Sequence, residues 1–289
     1  MKPVHTAVGE MQRTAIDALR GLGFPFALAE RVTHTLTWAE VVHGCGLQTI
    51  RRHEARIREA IPRAFGYSER SVGSRTISVL DAGGKITFES APRAFDLADA
   101  GAKLHGIGLV VIRRTFGAAL LGEFVMRSTE RGLAVLVLCQ PANPPAGAED
   151  DPYTAILSLP DGGMKAATIA AADSSANVSD FAPLLAEIAE DAPSILGELS
   201  QGKPESAISN ILIVSFKPQG NALSDSYTTA FDRCAAPSKG WQTDNGLLDR
   251  WRRAIDNGFE VDAADWKFMY SLVAQTRIVT SERSQSQAG

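Results

Sequence analysis

Between residues 107 and 139 the hydrophobic period changes twice, and that change confines the chain to an α/β architecture. "IGLVVI" (107–112) is an unbroken apolar run of strand length. The helical pattern "GAALLGEFVMRSTERG" (117–132) follows it, and then a second apolar run, "LAVLVLC" (133–139). Apolar runs with no polar alternation belong to strands covered on both faces, so helices must lie on the sheet. "YTAILSL" (153–159) and "ILIVSF" (211–216) predict two more strands, with helix over 180–200 between them. Upstream, "TISVLDAGGKITF" (76–88) reads as a hairpin turning at Asp81-Ala82-Gly83-Gly84. Ser90 is then expected to cap a helix running to Leu104, with Pro92 in its first turn.

Both ends of the chain read as helical. Val8, Met11, Ala15, Leu19 and Leu22 recur at helical spacing. A second stripe, Leu28, Val32, Leu36 and Ala39, starts after Pro25 and should stop at His43-Gly44. A third helix is expected from near Leu47 to Pro62. Near the other end, Leu247, Trp251 and Ile255, then Trp266, Met269, Tyr270 and Val273, predict further helices. Leu247, Trp251 and Trp266 are more apolar than a lone helix pair needs, so they should pack on other elements or on another chain, and a homodimer is expected.

Composition removes several function classes. A net charge of −4 gives no electrostatic reason for a nucleic-acid or anionic-membrane partner. The apolar runs are too short to cross a bilayer, and the first twenty residues lack the apolar core of a secretion signal. The 3 cysteines, Cys45, Cys139 and Cys234, make neither a disulfide framework nor a zinc knuckle. A cytoplasmic, bacterial-type protein is expected.

The densest chemistry lies in "VVHGCGLQTIRRHEARI" (41–57). His43, Cys45 and His53 fit no recurrent zinc spacing, so no metal site is expected. Cys45 precedes a helix start and lies near Arg51 and Arg52, both of which favour a thiolate. A small residue tolerated in a tight turn is the preferred reading. Arg51, Arg52, Arg56 and Arg58 read as a solvated face, although Arg52 and Arg56, one turn apart, could grip a carboxylate together. His105 ends a helix, where the dipole alone accounts for a cation. Arg113-Arg114-Thr115-Phe116-Gly117 joins a strand to a helix, and both an anion site and an exposed turn stay open there. There is no G-x-G-x-x-G, Walker loop or H-E-x-x-H.

The order of these segments resembles the malate/L-lactate dehydrogenase family. This non-Rossmann NAD(P)-dependent group also holds ureidoglycolate dehydrogenase and the piperideine/pyrroline-2-carboxylate reductases. Val42-His43-Gly44 stands where the family has Ser-His-Gly. "APRAFDLADAGAKLHGIGLVVI" is similar to its A-x-x-x-A-x-x-x-A helix and G-I-G strand. Thr115-Phe116-Gly117-Ala118 stands where it has His-Phe-Gly-Ala. "EDDPYTAILSLP", "ADSSANV" and "RWRRAIDNGFEVDAADWKFMYSLV" resemble its next strand, its Asp-x-x-x-Ser segment and its closing helices. Three features depart: Val42 replaces a serine, Thr115 replaces a histidine, and no glycine/lysine-rich segment appears between Asn177 and Asp180. The resemblance is thus to a divergent, shortened branch, including its uncharacterised-domain relatives.

The resemblance implies an α/β fold with a non-Rossmann central mixed-sheet domain over 71–206. A helical, dimerising domain would be built from 1–70 and 207–289. It implies an oxidoreductase using NAD(P)H on a small 2-oxo/2-hydroxy acid or cyclic imino acid. His43 would be the proton donor, and Arg51 or Arg52 would hold the substrate carboxylate. Thr115, Phe116, Gly117, Ala118, Asp173 and Ser175 would line the cofactor. A catalytically degenerate homologue that binds a small acid or a partner subunit is the alternative, because three family features are missing together.

Overall fold

The computed structural model describes residues 2–140, 155–160, 163–169, 177–201, 209–218 and 221–287. In chain order come β1 (Val4–Thr6), α1 (Val8–Leu22), α2 (Phe26–His43), α3 (Gly46–Arg52) and α4 (Glu54–Ala60). Then follow β2 (Gly66–Val72), β3 (Arg75–Asp81), α5 (Thr87–His105), β4 (Ile107–Thr115), α6 (Gly122–Glu130) and β5 (Ala134–Gln140). The next elements are β6 (Ala155–Leu159), β7 (Gly163–Ile169), α7 (Ala182–Ile188), α8 (Ala192–Ser200) and β8 (Ser209–Phe216). The last are α9 (Asn221–Cys234), β9 (Trp241–Asp244), α10 (Leu247–Asn257), β10 (Phe259–Val261) and α11 (Ala263–Gln287).

Two compact units result: Met1–Pro62 with Asp249–Gly289, and Arg63–Leu248. The second holds an eight-stranded sheet in the order β2-β3-β4-β8-β5-β6-β7-β9. Among the described residues, β3 and β4 pair in parallel and every other pair of neighbouring strands in this sheet is antiparallel. This is a mixed sheet, not a doubly wound parallel one. β8 sits between β4 and β5, so the sheet unit extends well past residue 206.

The sheet is covered on both faces, as its unbroken apolar strands require. Leu109, Val111, Leu136, Leu138, Leu212 and Val214 face a core shared with Phe181, Leu184, Ile195, Phe231 and Trp241. On the other face α5 packs on β4 and β8, and α6 packs on β5 and β6. That contact is close because α5 and β4 meet through glycines. A Cβ on Gly101 would stand 2.8 Å from the Cα of Gly108. Asp99, buried on α5, accepts from Ser215 Oγ at 2.9 Å, Ser128 Oγ at 2.9 Å and Arg131 Nη1 at 3.0 Å, which ties α5 to β8 and α6.

In the helical unit α1 packs against α2 and α11, and β1 pairs antiparallel with β10. Trp251 on α10 lies 5.2 Å from Trp38 on α2, ring centre to ring centre.

Some sequence expectations need correction. The hairpin is β2–β3, turning at Gly73 (φ 57), rather than one centred on Asp81–Gly84. Gly83 (φ 63) and Gly84 (φ 86) instead lead from β3 into α5, so "KITF" opens a helix. That helix begins at Thr87, not after Ser90, and Pro92 therefore lies inside it. The third helix is broken at His53 into α3 and α4. The segment 180–200 likewise holds two helices, separated by Asp191 in the left-handed region (φ 64).

Candidate functional site

Two groups of residues carry the chemistry, one in each unit.

In the helical unit, α2 ends at His43 because Gly44 turns the chain at φ 64 and its N–H donates to the Glu40 carbonyl at 2.8 Å. α3 then starts against α2. A Cβ on Gly46 would lie 2.5 Å from the Leu36 carbonyl oxygen, so only glycine permits that approach. Glu40 fixes the same turn from below: its buried carboxylate accepts the Leu47 N–H at 2.8 Å. His43 is left half-buried at the end of a helix whose last turn is held by backbone and carboxylate.

Burial pushes the Glu40 carboxyl up from 4.5 to about 7, with the nearby Asp265 and Asp262 adding to the rise and the Leu47 and Gly46 amides opposing it. A folded-state pKa above the unfolded one means the native state holds the proton longer. This contribution to stability is complete below pH 4.5 and is lost as the pH rises to about 7. The full loss is about 3 kcal/mol. Glu40→Gln keeps an acceptor for Leu47 and cannot ionise. It is expected to abolish that part of the decline, read as the variant-minus-wild-type difference in urea unfolding free energy between pH 5 and pH 8. An unchanged difference would show that Glu40 is not buried as a carboxyl in solution.

Two of the arginines in this stretch hold carboxylates of the protein itself, Arg51 that of Asp265 and Arg58 that of Glu54. Arg51 is bound through its Nε to the buried carboxylate of Asp265. Asp262 caps the start of α11 by accepting from Ala264 N at 2.8 Å and Asp265 N at 3.1 Å, and these amides hold its carboxyl below the usual range. Arg52 is exposed. Cys45 is buried, with its Sγ 4.0 Å from the Ala39 carbonyl oxygen, which is poor placement for an attacking thiolate. Among the described residues, no three His, Cys, Asp or Glu side chains are gathered as a metal site.

In the sheet unit, Thr115, Phe116, Gly117 and Ala118 form the turn at the C-terminal end of β4. A bulge precedes it, at which Arg114 takes φ 55. Arg114 grips Asp81 through Nε at 2.7 Å and Nη2 at 2.5 Å, and its Coulombic and hydrogen-bonding pull lowers that carboxyl despite the opposing effect of burial. Arg113 donates to Glu198 at 2.8 Å and to Gln201 at 3.2 Å. Both arginines thus already hold protein acceptors. Thr115 is fully buried; its Oγ1 donates to the Lys85 carbonyl at 2.9 Å and meets Thr87 Oγ1 at 3.1 Å. Gly117 takes φ 84 and begins a short 3-10 turn over Ala118–Leu121. Asp173 and Ser175 lie outside the described residues.

Beneath this turn is a pair that sequence reading missed. Lys85 Nζ donates to Glu89 Oε2 at 3.0 Å, with the two side chains only 3% and 5% exposed. Glu89 Oε1 has no hydrogen-bond partner among the described residues, and burial raises the carboxyl, opposed by Lys85. The signal available was a lysine after Gly-Gly with a glutamate four residues on. Glu40 was also missed, since nothing in sequence shows a carboxylate folded under a turn seven residues downstream.

No protein-family model and no curated protein matches the chain. Solved structures do. Malate dehydrogenase from Pyrococcus horikoshii OT3 superposes with a TM-score of 0.61 at 11% identity, over 95% of this chain and 96% of that one. Sulfolactate dehydrogenase from Methanocaldococcus jannaschii gives 0.58 at 13% identity, over 94% and 97%. Delta1-piperideine-2-carboxylate reductase from Pseudomonas syringae pvar. tomato gives 0.56 at 13%, over 93% and 99%. The chain therefore has the fold of the malate, sulfolactate and piperideine-carboxylate dehydrogenase and reductase structures.

Proposed function

We propose that the protein is an NAD(P)H-dependent oxidoreductase acting on a small 2-oxo/2-hydroxy acid or cyclic imino acid. The observation that carries this reading is the shared fold, since the three similar structures named above are a hydroxy-acid dehydrogenase, a sulfolactate dehydrogenase and an imino-acid reductase. His43 would supply the proton: its imidazole suits transfer near neutral pH and stands at a turn held by Gly44 and Glu40. Thr115 does not replace the family histidine, because its hydroxyl proton is committed to the Lys85 carbonyl. Gly117 and Ala118, at the end of β4, would line a bound nicotinamide, which would supply the hydride. Arg51 or Arg52 would hold the substrate carboxylate, and Arg51 already pairs with Asp265.

A homodimer and a cytoplasmic location stay part of this reading on resemblance. The apolar side chains that predicted the dimer are used within the chain, with Trp251 against Trp38 and Trp266 against Tyr270. No helix among the described residues is long and apolar enough to cross a membrane. The buried, fully committed Thr115 favours the second reading, a homologue that binds a small acid without turning it over.

Titration with NADH and NADPH separates the two. Nicotinamide fluorescence excited through tryptophan should rise saturably with one of them, and His43→Asn should preserve that binding while lowering turnover about a hundredfold. No heat or energy transfer with either nucleotide removes the oxidoreductase reading. Full activity in His43→Asn removes His43 from the chemistry.

A further inference from the structure

The eight-stranded sheet ends on one side at β2, with no strand beyond it among the described residues. Gly66 to Ser71 are all exposed, and the strand runs against β3 without a bulge from the Gly66–Asp81 pair to the Val72–Arg75 pair. It contains no proline. An uncovered edge with neither bulge nor proline presents a row of unused backbone donors and acceptors, which natural sheets usually block. The hairpin identifies those groups. Two residues, Gly73 and Ser74, join Val72 to Arg75, and a two-residue turn closes on a hydrogen-bonded pair. Alternation then gives the bonds to β3 to Val72, Arg70, Ser68 and Gly66. It turns the N–H and C=O groups of Ser71, Glu69 and Tyr67 outward.

The side chains of this edge select its partner. Tyr67, Glu69 and Ser78 share the sheet face toward α5: the Tyr67 hydroxyl donates to Glu69 at 2.8 Å and lies 3.4 Å from Ser78 Oγ. Val72, Ile77 and Val79 lie on the other face, in the core. A second copy that continues the sheet about a two-fold axis must oppose residues of the same face, so the axis passes through one residue of β2. An axis at Glu69 sets two carboxylates against each other, and one at Arg70 does the same to two guanidiniums; like charges directly opposite are destabilising. An axis at Ser68 gives the longest register that avoids both. It places Tyr67 of each copy opposite Glu69 of the other, outward backbone groups against outward backbone groups, and Arg70 opposite Gly66. Tyr67, now 54% exposed, gains cover and a second carboxylate to donate to.

We propose that β2 pairs antiparallel with β2 of a second copy about a two-fold axis at Ser68, so that two eight-stranded sheets become one. The pairing goes beyond the oxidoreductase reading, in which the expected homodimer has no assigned surface, and does not rest on it. A dimer built through another face overturns the pairing and leaves that reading intact.

Sedimentation of the full chain, together with cysteine variants under mild oxidation, tests it. Wild type is expected to be dimeric at roughly tens of micromolar, by order-of-magnitude interface affinities. Ser68→Cys should form an intermolecular disulfide, because directly opposed residues of a non-hydrogen-bonded pair have Cα atoms about 4.5 Å apart, within disulfide reach. Glu69→Cys should not, because its counterpart lies diagonally across at about 7–8 Å. Cys45, Cys139 and Cys234 are buried, so wild type sets the uncrosslinked baseline. Glu69→Pro removes an outward N–H and no bond to β3. It should weaken dimerisation at least about tenfold, since both copies lose a bond, with far-ultraviolet circular dichroism unchanged. A monomeric wild type, a dimer that Ser68→Cys leaves uncrosslinked, or a Glu69→Pro dimer as tight as wild type overturns the pairing. Crosslinking of Glu69→Cys equal to that of Ser68→Cys overturns the register.

Discussion

Gly108→Ala is expected to be among the most destabilising single-atom additions available in this chain. A Cβ at that position would stand 1.9 Å from the Ala98 carbonyl oxygen, 2.7 Å from its carbon and 2.9 Å from the Ala102 nitrogen. All three are backbone atoms of α5, so no rotamer change relieves the clash and the helix must lift from β4. Overpacking typically costs about 1–3 kcal/mol when side chains can yield. Here the cost should exceed that range, because α5 also holds the Asp99 bonds to Ser215 and Ser128. Gly197→Ala is the control. It lies inside α8 with nothing within 4 Å of a Cβ, and should stabilise by about 0.5–1 kcal/mol through helix propensity. Urea unfolding of both variants checks the contrast. A Gly108→Ala protein within about 1 kcal/mol of wild type would mean that α5 does not sit on β4 as described.

Lys85→Met should cost about 3–5 kcal/mol at pH 8, since it strands Glu89 as a buried carboxylate with no counter-ion. Glu89 Oε1 already lacks a hydrogen-bond partner among the described residues, so the loss leaves neither oxygen satisfied by Lys85. The direction with pH follows from the burial-raised carboxyl. Removing the ammonium raises it further, protonation then neutralises the stranded group, and the penalty should shrink as the pH falls. Adding Glu89→Leu to Lys85→Met should restore most of the stability, because two apolar side chains can replace a buried ion pair at little net cost. Denaturation of the single and double variants at pH 5 and pH 8 reads all four values. A single variant that loses less than about 1 kcal/mol at pH 8 would refute the buried pair.

The strongest patterns in the sequence correspond to elements whose burial is local. β4 is apolar from Ile107 to Ile112 and β5 from Ala134 to Cys139, and α2 stops where His43-Gly44 indicates. Elements with mixed patterns were not legible. β7 alternates weakly over "GMKAATI", and β9 is only four residues long, fixed by pairing with β7 across more than seventy positions. β1 and β10 form a strand pair only because the two ends of the chain meet. The Asp81–Gly84 turn misled because glycines at positive φ serve a strand-to-helix corner as readily as a hairpin. For the site, the stretch around His43 was visible as a dense run of chemistry. What settles the use of its arginines was not: Asp265, which takes Arg51, lies 214 residues away.

The place of β8 has a consequence for how the protein is made. Its partners β4 and β5 are adjacent in sequence, yet they flank a strand drawn from residues 209–216. A ribosome that has delivered β5 must extend the chain by some seventy residues before the gap between those two strands can close. Until then, Leu109, Val111, Leu136 and Leu138 sit beside open backbone edges, the arrangement most prone to pairing with another chain. Ile211 to Val214 therefore act as a keystone. Synthesis rate and chaperone supply over this interval should govern soluble yield more strongly than the stability of the finished molecule.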